Sequence, residues 1–230
     1  MAFPLTGLGS CSVNTTRELV DAVARSSCAR VWLISTEYNL TDALNVSRDV
    51  DIASFSGSAA LRGSGAHRVL YVASKSAVTL SGLVLFGGNA SGRGESVGPE
   101  TDGGGIYNDG ELTLRDSTLM DNFAANVGGS LYNRGTATIS NTTFRRSNAV
   151  YGGGVCNDGD LRLISSIFQG INNSAVQNGA IRNNRPNINA TMLISHCTMV
   201  NGDSRQGELF WRVSTHARVC SPPSPLTCCG

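Results

Sequence analysis

The sequence is short of the features that would give it a charged partner or a membrane span. Lys75 is its one lysine among 230 residues, charged side chains make up 15% of the chain, and the formal net charge is +1. The arginines are scattered, so no basic stripe for nucleic acid or an anionic membrane can be drawn along the chain. No apolar run approaches the ~18 residues that a membrane helix needs. The best, Val78 to Phe86, is interrupted by Ser81-Gly82. Three dispersed histidines, His67, His196 and His216, and a tail holding Cys220, Cys228 and Cys229 match no zinc spacing, and no cofactor is expected. Met1 to Gly7 has neither a basic segment nor an apolar centre, so no secretory signal is read there. That start fits a trimmed or fragmentary chain, or one not exported by that route.

What is present is a repeated phrase. Gly103-Gly104-Gly105-Ile106-Tyr107-Asn108-Asp109-Gly110 returns as Gly128-Gly129-Ser130-Leu131-Tyr132-Asn133-Arg134-Gly135 and as Gly152-Gly153-Gly154-Val155-Cys156-Asn157-Asp158-Gly159. Between the phrases stand short alternating runs such as Leu112-Thr113-Leu114 and Thr118-Leu119-Met120, which mark strands with one buried face. No 3.6-residue apolar stripe runs inside the unit, and this excludes the two-helix repeats. A unit of ~25 residues with three short strands predicts an all-β fold, one turn of a parallel β-helix per repeat and about six coils from Val50 to Gly202. The Asn-Asp-Gly and Asn-Arg-Gly steps are expected to take the positive φ of one corner, and the Gly-Gly pairs to form another.

Stacked turns place residues about 25 apart in columns. Two inward columns are predicted, Leu85, Leu119, Phe144, Phe168, Met199 and Leu80, Leu114, Ile139, Leu163, Ile194. Leu83, Ser117, Thr142, Ser166 and Cys197 make a column of mostly small residues where the tube narrows. Asn108, Asn133, Asn157 and Asn183 make a column whose amides can hydrogen-bond along the stack.

Residues 1–48 read as an N-terminal cap to a domain over 1–202. Thr15-Thr16-Arg17-Glu18 resembles a capping box, and Leu19, Val20 and Val23 form the apolar face of a short helix over the open end. Residues 203–230 read as a C-terminal cap around Leu209-Phe210-Trp211 with a Ser/Pro/Cys-rich tail. Cys11 and Cys28 flank the helical segment and can bridge across it. Sequons at Asn14, Asn39, Asn45, Asn89, Asn141, Asn172 and Asn189, together with the cysteines, point to an extracellular or cell-surface setting.

The Gly-Gly-Gly-Ile-Tyr-Asn-Asp-Gly phrase, the run Leu112 to Leu119 and Val78-Thr79-Leu80-Ser81-Gly82-Leu83 resemble right-handed parallel β-helix proteins of the pectate-lyase-like superfamily over about residues 30–202. The Gly-Gly-x-aliphatic phrases are most similar to the polymorphic outer-membrane and adhesin-like repeats, although the Phe-x-x-Asn phrase that accompanies them there is approached only by Leu119-Met120-Asp121-Asn122. The resemblance implies the fold. It leaves activity open, since that superfamily holds enzymes and non-catalytic surface proteins alike.

For chemistry, the columns bring Asp109, Arg134 and Asp158 together. Alternating sign at one-turn spacing favours an ion-pair ladder over a calcium cage or a catalytic pair. Asp116 and Asp121 face Asn141 and Arg146. The insertion from Asn89 to Asp102 reads as a projecting polar loop in which Glu95, Glu100 and Asp102 are solvated. The outward column Val84, Thr118, Thr143, Ile167 and Thr198 is β-branched throughout, with Phe86, Met120, Arg145, Gln169 and Val200 beside it. Such a flat face suits a protein or a glycan. The expected function is therefore non-catalytic binding, adhesion or a structural role. The alternative is a carbohydrate-active enzyme acting on acidic polysaccharide near the insertion, and calcium belongs only to that alternative.

Overall fold

The computed structural model describes residues 9–92, 99–173, 179–183, 190–200, 210–212 and 217–220. Glu95, Asn189, Leu209, His216, Cys228 and Cys229 lie outside them. Of Asn172, Phe210, Trp211 and Cys220 only the backbone is described.

Among the described residues the chain is all-β apart from one α-helix and a short 3-10 turn at Pro99–Thr101, and every strand pairing is parallel. The helix, Thr16–Ala24, starts where the capping sequence says it should. The Glu18 amide donates to Thr15 Oγ1 at 3.2 Å, and the Glu18 carboxylate accepts from the amides of Asn14 and Thr15 at 2.7 and 3.1 Å. Those amides hold the Glu18 carboxyl below its ordinary pKa. The buried stripe is Leu19, Ala22 and Val23, whereas Val20 is 48% exposed. One residue is about 100° of helix, enough to carry Val20 off the face that its neighbour buries. A further strand, Gly9–Val13, precedes the helix and pairs with Cys28–Leu33; the Cys11–Cys28 disulfide joins the two.

The described strands fall into sheets of nine, seven, seven and four. Within them the register follows the repeat. Leu85, Leu119, Phe144, Phe168 and Met199 are successive partners in one seven-stranded sheet, and Leu80, Leu114, Ile139, Leu163 and Ile194 in the nine-stranded sheet. Both series belong to one buried cluster, with Met199 packed at its edge. Phe144 lies flat on Phe168, ring centroids 4.5 Å apart and planes within 9°. The sequence reading gave three strands per unit, but the structure has four. The fourth, Phe123–Ala124 and Asn148–Ala149, is two residues long and too short to show alternation.

The column of small residues is held by hydrogen bonds. Ser117 Oγ donates to Arg115 O at 2.7 Å and accepts from the Leu83 amide one rung back, and Ser166 Oγ accepts from the Thr142 amide in the same way. The asparagines of the other seven-stranded sheet form an unbroken ladder. Each Nδ2 donates to the next Oδ1 at 2.7 Å, from Asn108 to Asn133 to Asn157 to Asn183, all fully buried. The corner chemistry differs from expectation. Asn-Asp-Gly and Asn-Arg-Gly keep negative φ, while the left-handed positions of these repeats are Gly103, Gly128 and Gly152 at one corner, Asp116, Asn141 and Ser165 at a second, and Asp121, Arg146 and Gly170 at a third. The Gly of Asn-x-Gly serves a different need. A Cβ on Gly135 would run into the carbonyl of Gly110, and one on Gly159 into the carbonyl of Gly135, so these turns stack too closely for any side chain.

Candidate functional site

From Leu44–Val46 to Ile181–Asn183, the middle residue of each strand in the asparagine sheet faces away from the main core. The column reads Asn45, Tyr71, Tyr107, Tyr132, Cys156 and Arg182. Its tyrosines pack in series, with ring centroids 5.5 Å apart for Tyr71 and Tyr107 and 5.1 Å for Tyr107 and Tyr132. With Val127, Cys156 and Tyr151 they make a second apolar cluster. The Arg68 guanidinium lies 4.7 Å from the Tyr107 centroid, and that of Arg182 lies 4.4 Å from Tyr151.

Acidic side chains ring these hydroxyls. Tyr71 Oη donates to Asp109 Oδ2 at 3.1 Å, and Tyr132 Oη to Asp158 Oδ2 at 2.7 Å. Arg134 Nη1 reaches both Asp109 Oδ1, at 3.1 Å, and Tyr107 Oη, at 3.0 Å. Asp102 accepts from Asn126 Nδ2 at 2.8 Å and is 4% exposed. It is therefore a buried member of this network and not part of a solvated loop, while Glu100 is exposed. Burial raises the hydroxyl pKa of Tyr107 and of Tyr71, and lowers that of the Arg68 guanidinium. The hydrogen bond to Tyr107, with the nearby charges, raises that of Arg134. Tyr71 and Tyr132 thus donate to carboxylates, while the Tyr107 hydroxyl accepts from Arg134. The ladder expected over Asp109, Arg134 and Asp158 is divided: Arg134 bends back one rung to Asp109, and the buried Asp158 takes the Tyr132 hydroxyl. Sequence reading did not assemble Arg68, Asp102 and the tyrosines, although a Tyr at one fixed position of the repeated phrase was the available signal.

Two further acids are paired at the left-handed corners between strands. Arg146 binds Asp121 through Nε at 2.7 Å, and Asn141 Nδ2 donates to Asp116 at 2.7 Å. His196 Nδ1 is 2.6 Å from Ser195 Oγ. Among the described residues no group of three His, Cys, Asp or Glu side chains is placed to hold a metal ion.

The outward face sits in the register its sequence implies, Val84 to Thr118 to Thr143 to Ile167 to Thr198, with Phe86, Met120, Arg145, Gln169 and Val200 alongside. Side chains of the first three rungs are half-buried, while Ile167, Gln169, Thr198 and Val200 are exposed. Arg62 lies 5.7 Å from the Phe86 centroid. Of the sequon asparagines, Asn14, Asn39 and Asn45 are exposed; Asn141 is exposed but spends its Nδ2 on Asp116, and Asn89 donates Nδ2 to Gly65 O at 2.8 Å. No helix among the described residues is long and apolar enough to cross a membrane. Compared with known proteins, the chain matches no family model, no curated protein and no solved structure.

Proposed function

We propose that the parallel sheets are the faces of one right-handed β-helix of about six coils, akin to the pectate-lyase-like and adhesin-like proteins its phrases resemble. In this reading residues 1–202 are one domain capped by the N-terminal segment, and 203–230 are a C-terminal cap and tail. The protein acts outside the cell or on its surface as a non-catalytic binding, adhesion or structural module. The observation that carries this reading is how the repeat uses its charges. Asp109, Asp121 and Asp158 each have an Arg or Tyr partner one rung away, whereas the Val84 to Thr198 column presents an outward β-branched face, half-buried at Val84, Thr118 and Thr143 and exposed at Ile167 and Thr198. The Cys11–Cys28 disulfide and the exposed Asn14, Asn39 and Asn45 sequons support an extracellular setting. A protein or a glycan is the partner that this face suits.

A second reading rests on the buried Asp102 and on Arg68 stacked over Tyr107 beside the insertion, an acid and a guanidinium where a carbohydrate-active enzyme would hold acidic polysaccharide. Calcium belongs only to that reading. Arg68 and Arg134 beside these acids already supply the positive charge, so they make a poor cation cage.

One experiment separates the two. Incubation with pectin, alginate and polygalacturonate is expected to give neither ultraviolet-absorbing unsaturated product nor new reducing ends. A surface coated with the protein is expected to retain cells, and Thr118→Glu/Thr143→Glu, which puts two carboxylates on the outward face, to release most of them. Product formation that disappears in Asp109→Asn or Asp158→Asn would reverse the choice, and so would cell retention indifferent to the double substitution.

A further inference from the structure

The outer face of the nine-stranded sheet carries a cleft that none of the above uses. Outward residues on consecutive rungs form the column Trp32, Ala53, Ser81 and Arg115, with Arg30, Asp51 and Thr79 in the column beside it. Two bulky residues bracket two small ones, and a hollow of about 380 Å³ opens between them. That volume is in the range of small-ligand sites. Three rungs of about 4.8 Å separate the Trp32 and Arg115 backbones by roughly 14 Å.

The walls differ in chemistry. Trp32 lines the hollow at one end, and Phe55, 72% exposed and outside the lining, braces it edge to face with centroids 6.2 Å apart. Arg30 lies 5.5 Å from the Trp32 centroid and is fixed by Asp51, with Nη2 at 2.7 Å from Oδ2. Across the floor stand Thr79 and Ser81 of the outward columns, and at the far end Arg115 and Asp116. Two guanidiniums and two carboxylates cancel. The cleft therefore offers aromatic surface with alternating donors and acceptors but no net field to attract an ion. An uncharged, polyhydroxylated ring has the matching surface, since its C–H faces pack on aromatics and its hydroxyls both donate and accept.

We propose that this cleft binds an uncharged oligosaccharide, one ring lodged against Trp32 and its hydroxyls meeting Asp51, Thr79, Ser81 and Arg115. This extends the binding reading to a second face and does not depend on the Val84 to Thr198 column.

The test titrates the full chain with cellotriose, mannotriose, chitotriose in its N-acetylated form and, as the charged contrast, trigalacturonate, following tryptophan fluorescence and amide chemical shifts. At least one neutral trisaccharide is expected to saturate, with shifts centred on Trp32, Thr79 and Ser81, and to bind at least about tenfold (~1.4 kcal/mol) more tightly than trigalacturonate. Trp32→Ala is expected to weaken it about tenfold or more. Ser81→Phe, a substitution on an outward position that fills the hollow, provides the same readout should Trp32→Ala fail to fold. Thr138→Val, farther along the same sheet, is expected to leave binding unchanged. The proposal is overturned by no saturable shift with any neutral sugar, by shifts that map elsewhere, by trigalacturonate binding the tighter, or by Ser81→Phe binding as well as the native chain.

Discussion

Gly135→Val is expected to leave the chain without its cooperative fold at room temperature, and Gly135→Ala to come close to doing so. The neighbour that a Cβ would strike is the Gly110 carbonyl one rung below, which is backbone and cannot swing aside. Relief requires the rungs to spread. Spreading breaks the amide bonds of Arg134 and Thr136 to Asn108 O and Gly110 O, and it pulls Asn133 out of register with Asn108. Each lost backbone bond costs about 1 kcal/mol, and each buried amide left without a partner about 1–3 kcal/mol. Several such losses reach the ~5–15 kcal/mol that holds a typical domain folded. Gly57→Ala provides the contrast. Gly57 has φ of +87° and open space around its Cα, so only the left-handed conformation is penalised, by about 1–2 kcal/mol. Circular dichroism and urea melts of the three variants check the ranking, and a stably folded Gly135→Val would remove the close-stacking account of these turns.

Phe144→Ala is expected to destabilise by about 3–5 kcal/mol, whereas Phe144→Leu costs less than about 1.5 kcal/mol. Phe144 is fully buried between Leu119 and Phe168 and lies flat on the latter. Truncation therefore opens a cavity that the neighbouring rungs cannot close without leaving their ladders. Stacked repeats interact mainly with nearest neighbours. The loss of hydrogen-exchange protection is accordingly expected to centre on the rungs of Leu119 and Phe168 and to fade toward Leu85. Urea midpoints and amide exchange measure both.

The columns were legible because a parallel stack converts a sequence period into vertical adjacency, so that Leu119, Phe144 and Phe168 could be aligned by counting. The capping box was legible for the opposite reason, being complete within four residues from Thr15 to Glu18. The role of the Asn-x-Gly glycines was not. Positive φ and close approach both select glycine, and only the placement of the Gly110 carbonyl under Gly135 distinguishes them. Asp102 meets Asn126 one repeat on, but the acid stands at the end of an insertion whose Gly-rich, polar composition reads as a solvated loop. The Trp32 cleft was hidden for another reason: Ala53 and Ser81 belong to early rungs without the Gly-Gly phrase, so their shared column with Trp32 appears only once the strands are paired.

The most direct test of in-register stacking is nuclear Overhauser spectroscopy on a sample labelled at phenylalanine and leucine. The structure requires ring-to-ring cross-peaks between Phe144 and Phe168, whose centroids are 4.5 Å apart, and cross-strand backbone cross-peaks linking Leu119 to Phe144 and Phe144 to Phe168. Their absence in the folded protein, or cross-peaks joining Phe144 to residues of another register, would contradict it.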